Sequence, residues 1–179
     1  MHAAAIPEID ENTDWFERHR ERFEAAALAC RTRECWSPFP DLPSKYPDTE
    51  AAQARGLAAF NARLRQPFRF DPAMPGGARL EPALHEVSPY TREPLGISYL
   101  MPTLDPLFNA ATNAMPRWAE ADPEQRIGVL MEVVQRLYTE HLFEIAQAVM
   151  HTAGQSFNMA YAGSSINALD RAIEALGKT

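Results

Sequence analysis

All fifteen prolines of this chain lie at or before Pro123. Proline removes a backbone donor and clashes with the preceding turn of a helix, so the last third of the sequence is the stretch free to run as uninterrupted helix. It opens with Asp122-Pro123-Glu124-Gln125-Arg126. Asp122 can cap, Pro123 takes the first helical position where no N–H is needed, and Gln125 can reach back to close a capping box. After it, Ile127, Leu130, Met131, Val134, Leu137, Tyr138, Ile145 and Val149 recur at helical spacing and define one apolar face. The opposite face carries Glu132, Arg136, Glu140 and Gln147, but also Val129, Phe143 and Met150. Those three imply a second partner surface, within this chain or beyond it. Gly154 is placed to end the helix. A further helix sets Ile166, Leu169, Ile173 and Leu176 on one face, with Ser164 or Ser165 as its cap and a break or kink at Gly163.

The earlier part alternates helices with proline-rich connections. Asp14-x-x-Glu17 reads as a capping box, and Trp15, His19, Phe23, Ala26, Ala27 and Cys30 share one face of a first helix ending near 31–34. Four prolines between Pro38 and Pro47 exclude helix. That segment offers Trp36, Phe39, Leu42 and Tyr46 as anchors, either for a strap on its own protein or for a recognition peptide. Asp48 can cap a second helix to about Arg65, with Ala54, Leu57, Ala58, Asn61 and Leu64 near one face. Residues 66–81 return to loop, with Phe68 and Phe70 alternating like a strand and Pro75-Gly76-Gly77 as a turn. Leu84 to Tyr99 reads as a β-hairpin around a polar turn. Asp105-Pro106 repeats the cap-plus-proline device and starts a helix through Leu107, Phe108, Ala111 and Met115 that Pro116 should kink or end.

Composition narrows the function classes. A net charge of −7 without a basic block argues against nucleic acid as partner. No apolar run approaches the ~20 residues of a membrane span, and residues 1–10 lack the features of a signal peptide. Cytoplasm is the default location. With 46% apolar and 23% charged residues, 179 residues can bury a sizeable core.

Candidate chemistry is sparse. Cys30-x4-Cys35 with His19 has neither the ligand number nor the spacing of a zinc site, so both cysteines read as free thiols. His141, on the apolar face, is either a base or a core histidine bonded to a carbonyl. His85 has no evident partner, and His151 reads as a cap on the last carbonyls of its helix. Ala162-Gly163-Ser164-Ser165 is not a nucleophile elbow, and Gly76-Gly77 is not a dinucleotide-binding motif. Glu140 and Glu144 read as solvated charge. No residue is assigned a catalytic, cofactor-binding or metal-binding role.

Several phrases nevertheless occur in a telling order. Ser88-Pro-Tyr-Thr-Arg-Glu-Pro-Leu-Gly96 resembles the N-terminal strand-turn-strand of the aldehyde dehydrogenase superfamily. Ala110 to Trp118 resembles its alanine-rich helix ending in tryptophan, and Pro123-Glu-Gln-Arg126 with Leu130 to Ala148 its long "P-x-x-R" helix. Thr152-Ala-Gly-Gln155 followed by Ala168 to Glu174 resembles its "E-T-G-K" turn and next helix, with His151 replacing the acidic residue and Gln155 the lysine. The long extension, "LHEVSPYTREPLGISY" and "HTAGQSF" together resemble the PaaN-type aldehyde dehydrogenases of phenylacetate degradation. The resemblance implies a full-length parent that uses NAD or NADP to oxidise a ring-opened, CoA-linked semialdehyde to its acid. The family's cysteine nucleophile, glutamate base and cofactor fold come later than the segment matched here. Gly154-Gln155-Ser156-Phe157 has phenylalanine where the nucleophile motif of the family has cysteine.

The expected fold is mainly α, of about five helices with one small β-hairpin. It is the N-terminal portion of the α/β aldehyde dehydrogenase fold, truncated before the cofactor and catalytic domains. Residues 1–81 form a helical extension with a proline-rich strap, and residues 82–179 the hairpin and helices. The chain alone is expected to be non-catalytic and to hold no cofactor. Its partner is expected to be the remainder of the parent enzyme, or a second copy, through the surface near Val129, Phe143 and Met150. The alternative is a stand-alone helical binding or dimerisation module derived from that scaffold.

Overall fold

In the computed structural model, the residues described are 14–68, 79–81, 86–101 and 103–179. Five helical rods dominate them: α1 (Trp15–Thr32), α2 (Thr49–Arg63), α3 (Leu104–Glu120), the pair α4 (Pro123–Arg136) and α5 (Leu142–Ala153), and the pair α6 (Phe157–Met159) and α7 (Asn167–Gly177). A π turn, Leu137–His141, joins α4 to α5, and another, Ala160–Ile166, joins α6 to α7. Two short antiparallel strands, β1 (Arg79–Glu81) and β2 (Tyr99–Met101), pair with Leu80 opposite Leu100.

The capping signals act much as the sequence implies. Asp122 accepts from the Gln125 N–H at 2.8 Å, and the Gln125 side chain accepts from the Asp122 N–H at 3.2 Å. Asp14 caps α1 through the Glu17 N–H, but Glu17 turns its own carboxylate to Arg20, so only half of that box forms. Gly154, at φ 71°, closes α5 with its N–H on the Met150 carbonyl. Ser156, rather than Ser164 or Ser165, caps the last rod. Gly163 does not break that rod, because the π turn carries the helix through it.

The π turn at 137–141 alters the long helix more than any cap. One extra residue per turn rotates everything after it by roughly 100°. Met131 and Val134 are buried before the turn, and Leu142, Phe143 and Ala146 after it. The expected continuous face through Ile145 and Val149 is therefore shifted: Phe143 is 5% exposed. Its ring meets Tyr46 at 4.9 Å, Tyr161 at 5.4 Å and Phe157 at 6.1 Å, and Met150 packs against the same cluster. The partner surface for these two side chains lies inside this chain. Val129 stays at the surface.

The core combines Ala26, Phe39 and Ala52 with Met131, Val134, Phe143, Tyr161, Leu169 and Ile173. Of the four anchors between Trp36 and Tyr46, Phe39 is buried on the Tyr138 ring, 4.5 Å away, and Tyr46 is half-buried, while Trp36 and Leu42 are largely exposed. The segment is a strap held by Phe39, Tyr46 and buried Pro43, with Ser37 bonded to Asp170.

Backbones approach closely at two crossings. A Cβ on Gly128 in α4 would stand 2.4 Å from the Phe16 backbone nitrogen, so α1 and α4 touch main chain to main chain. A Cβ on Gly56 in α2 would stand 2.4 Å from the Phe143 Cβ. That contact orients α2, which buries Ala52, Gly56 and Phe60 rather than the expected face of Ala54, Leu57, Ala58 and Asn61. In so alanine-rich a helix the hydrophobic period hardly distinguishes faces, and the smallest residue together with the one phenylalanine decides. On α1 the sandwich between α4 and α7 widens the buried arc to include Phe16.

Three further expectations change. Within the segment 86–99 one antiparallel bridge, Val87 to Pro94, closes a turn instead of a hairpin ladder, because Pro89 and Pro94 cannot donate to one. β2 pairs instead with β1. Helix α3 begins one residue before Asp105, with Thr103 at the N-cap position but making no side-chain capping bond, and passes through Pro116 to Glu120. Phe70, Pro75-Gly76-Gly77, Leu84 and His85 lie outside the described residues. Phe68 donates its N–H to the Ser98 carbonyl at 2.7 Å.

The glycine crossing gives a paired prediction. Gly128→Ala lowers stability by about 1–3 kcal/mol through overpacking, although alanine adds about 1 kcal/mol to a helix interior. Gly163→Ala, whose Cβ would meet only the Met159 methyl at 3.4 Å, leaves the urea midpoint unchanged or raises it.

Candidate functional site

The most concentrated polar chemistry sits where the 88–92 turn meets α5. Ser88 is fully buried, and its Oγ lies 2.7 Å from Nδ1 of His151. The same oxygen accepts the N–H groups of Tyr90 at 3.2 Å and Thr91 at 3.3 Å. With those donors on its lone pairs, the Ser88 hydroxyl donates its proton to Nδ1, and neutral His151 carries its own proton on Nε2. The imidazole stacks on Phe60 at 4.7 Å and meets Tyr90 edge-on at 5.8 Å. The Tyr90 hydroxyl donates to the Gln155 carbonyl at 2.5 Å. Burial holds the His151 pKa below the usual imidazole value.

A serine–histidine pair invites a catalytic reading, which the geometry does not support. Ser88 cannot reach solvent, and a nucleophile needs room for a reacting carbon beside it. The pair pins a turn to a helix. His151 therefore does not cap α5 as the sequence suggested; Gly154 closes that end. Ser88 and His151 are sixty-three positions apart, and no spacing rule pairs them. The Ser88-x-Tyr90 side-chain-to-backbone turn was the one local sign.

Two carboxylates hold the other clusters. Glu132 on α4 lies 2.8 Å from Nε2 of His19 on α1 and accepts from Arg136 at 2.8 Å. Burial acts to raise the Glu132 pKa, but the bonds from Arg136 and His19 outweigh it and hold the carboxyl below its usual range. Glu144 on α5 behaves likewise: burial raises, while Arg63 on α2 and His141 lower it further. Glu144 is thus largely buried and paired rather than solvated. His141 is not a core histidine: the π turn leaves it half exposed, with Nδ1 3.3 Å from Glu144 and Nε2 3.9 Å from Glu140.

The thiols stay apart from this chemistry. Cys30 is half-buried with its Sγ 3.7 Å from the Glu174 carbonyl, Cys35 is exposed, and both are free. Both line a cleft of about 420 Å³ with Trp36, Arg33, Arg171 and Lys178. His19 faces Glu132 instead. No group of three metal-ligating side chains occurs among the described residues. Ser164 donates to the Gln155 side chain and Ser165 to the Ala160 carbonyl, so neither is a poised nucleophile.

A nicotinamide dinucleotide does not fit the described residues. Such a cofactor is held where a parallel strand turns into a helix whose free N–H groups meet the pyrophosphate. Here β1 and β2 are antiparallel; the caps Asp14, Asp122 and Ser156 engage N–H groups in the first turns of α1, α4 and α6, and α2 and α3, which start without a side-chain cap, follow no parallel strand among the described residues. No helix among the described residues is long and apolar enough to cross a membrane.

No family model matches this chain, and no curated protein does. Among solved structures, the chain is similar to the NAD-dependent aldehyde dehydrogenase from Burkholderia multivorans, with a TM-score of 0.82 and 38% identity over 92% of this chain. The chain spans 28% of the length of that protein. The likeness supports the aldehyde dehydrogenase superfamily for a mostly helical segment.

The Ser88–His151 pin predicts a pH signature. A histidine whose folded pKa lies below its unfolded value of 6.5 stabilises the fold above 6.5, and that contribution is lost as pH falls through the lowered value. Glu132 and Glu144, also lowered, lose theirs only below about 4.5. Urea midpoints measured from pH 8 to 5 therefore fall in the wild type and fall less in His151→Gln.

Proposed function

We propose that this chain is an early, non-catalytic segment of an aldehyde dehydrogenase of the PaaN type, and that it serves its parent as helical scaffold. The observation that carries the reading is the match over 92% of this chain to 28% of an NAD-dependent aldehyde dehydrogenase at 38% identity. Identity at that level, spread over so much of the chain, favours common descent over shared helix packing. The described residues add consistent detail. Glu132, Glu144, His19, His151 and Ser88 are engaged in holding helices and turns together.

On this reading the whole protein is cytoplasmic and oxidises an aldehyde to its acid, with NAD or NADP taking the hydride. The substrate class is the ring-opened, CoA-linked semialdehyde of phenylacetate degradation, a finer assignment that rests on the sequence phrases around Ser88 and Thr152. The cysteine nucleophile and the glutamate base belong to the remainder of the parent.

The test is the intact mass of the native protein, captured with an antibody to Cys35–Tyr46. A product well above 20.0 kDa that forms NADH or NADPH with an acyl-CoA semialdehyde is the expected result. A native product of 20.0 kDa overturns the reading and leaves the helical binding module in its place. A larger product active only on simple aldehydes removes the substrate assignment alone.

A further inference from the structure

The two cysteines of the chain flank the end of α1. Cys30 lies in its last turn, half-buried, and Cys35 lies just beyond it, in the exposed stretch 31–37. A helix continued through both would separate them by roughly 7.5 Å along its axis. That is too far for a disulfide, whose Cα atoms stand about 4.4–6.8 Å apart. The helix does not continue. Arg33 turns left-handed at φ 60°, and its N–H returns to the Ala29 carbonyl. The Glu34 N–H reaches the same carbonyl at 3.2 Å. That second bond folds the chain back onto the last turn, and Cys35 follows it directly. Both cysteines line one cleft of about 420 Å³, with Trp36 beside them.

We infer that Cys30 and Cys35 form a reversible thiol–disulfide couple, oxidised by a small disulfide of the glutathione type. Both thiols are free here, as the reduced half of such a couple is. Cys35 is the exposed partner and takes the first step. Its thiolate attacks one sulfur of the small disulfide, the S–S bond breaks, and the other half leaves as a thiolate that takes up a proton. The Cys30 thiolate then attacks the Cys35 sulfur of the mixed disulfide, forms the Cys30–Cys35 bond and releases the second half. Two protein thiols lose two electrons, the small disulfide gains them, and the two protons end on its two halves. Excess reduced thiol runs the same steps backwards. Residues 31–37 are exposed, which leaves the chain room to shift as the sulfurs meet. A metal role for the pair lacks ligands, since no group of three metal-ligating side chains occurs among the described residues. Oxidation also changes a contact between helices. In the thiol form Cys30 donates to the Glu174 carbonyl on α7 at 3.7 Å. A disulfide sulfur has no proton to donate, so closing the bond releases that link between α1 and α7 where the strap begins.

The experiment takes the protein as its native cell makes it, folded and reduced, and treats it with oxidised glutathione. Remaining thiols are blocked with iodoacetamide, and the protein is digested with trypsin without reduction. Trypsin cuts after Arg31 and Arg33, so Cys30 and Cys35 fall in different peptides that only a bond between them keeps joined. The expected result is the joined pair with both alkyl labels lost, and both labels regained when excess reduced glutathione precedes the blocking. Cys30→Ser should leave Cys35 carrying one glutathione, and Cys35→Ser should leave Cys30 alkylated. Both thiols still alkylated in the wild type overturns the inference. So does a stable glutathione on Cys35 with Cys30 free, a bond from either to another cysteine, or joining that appears only in urea.

Discussion

Main-chain contact between helices is the constraint on which this structure depends. At Gly128 the backbone of α1 lies where a side chain of α4 would otherwise stand, and at Gly56 the same holds between α2 and Phe143 of α5. Helices that approach this closely cannot slide or rotate without collision, so each crossing fixes both axial position and facing. The aromatic cluster follows from this. With α2 seated on α5, Tyr46, Phe143, Phe157 and Tyr161 converge, and the strap is drawn across them with Phe39 on Tyr138. Tyr161, fully buried, reaches the Pro40 carbonyl at 3.2 Å, and burial pushes its phenol well above the usual value.

What could be read from the sequence was whatever depends on neighbours a few residues apart. The Asp122–Gln125 box, the αL stop at Gly154 and the Ile166–Leu169–Ile173 face are of that kind, and each appears in the structure. The facing of α2 was not legible, since it is decided by a glycine meeting a residue on another helix. Nor was the π turn at 137–141. No residue type announces it, yet it turns Phe143 inward and His141 outward, reversing both expectations. The Ser88–His151 pin and the Glu144–Arg63 pair join positions far apart in sequence, where only the folded chain brings partners together. The family resemblance reached further than these local rules, because an order of motifs shared with a family carries tertiary information that spacing does not.

The polar groups show how a scaffold differs from a site. An active site keeps a base, a nucleophile or a donor without its full set of partners, ready for substrate. Here Glu132 and Glu144 have cationic partners, Ser88 has three hydrogen bonds, and His151 is neutral with an aromatic ring on one face. These interactions define shape. The exposed side of α3 is apolar, suited to packing rather than chemistry.

The packing of α1 also has a consequence in time. Its contacts reach His19 to Glu132, Cys30 to Glu174 and, through the strap, Ser37 to Asp170, separations of 113 to 144 positions. Helix α1 is therefore made well before the helices that seat it. During synthesis it must wait with Phe16, Phe23 and Ala26 uncovered until α4 and α7 have emerged, a delay of several seconds at about 5–20 residues per second. A fold with so many distant contacts assembles slowly for its helix content. That interval is when this chain would most need a chaperone.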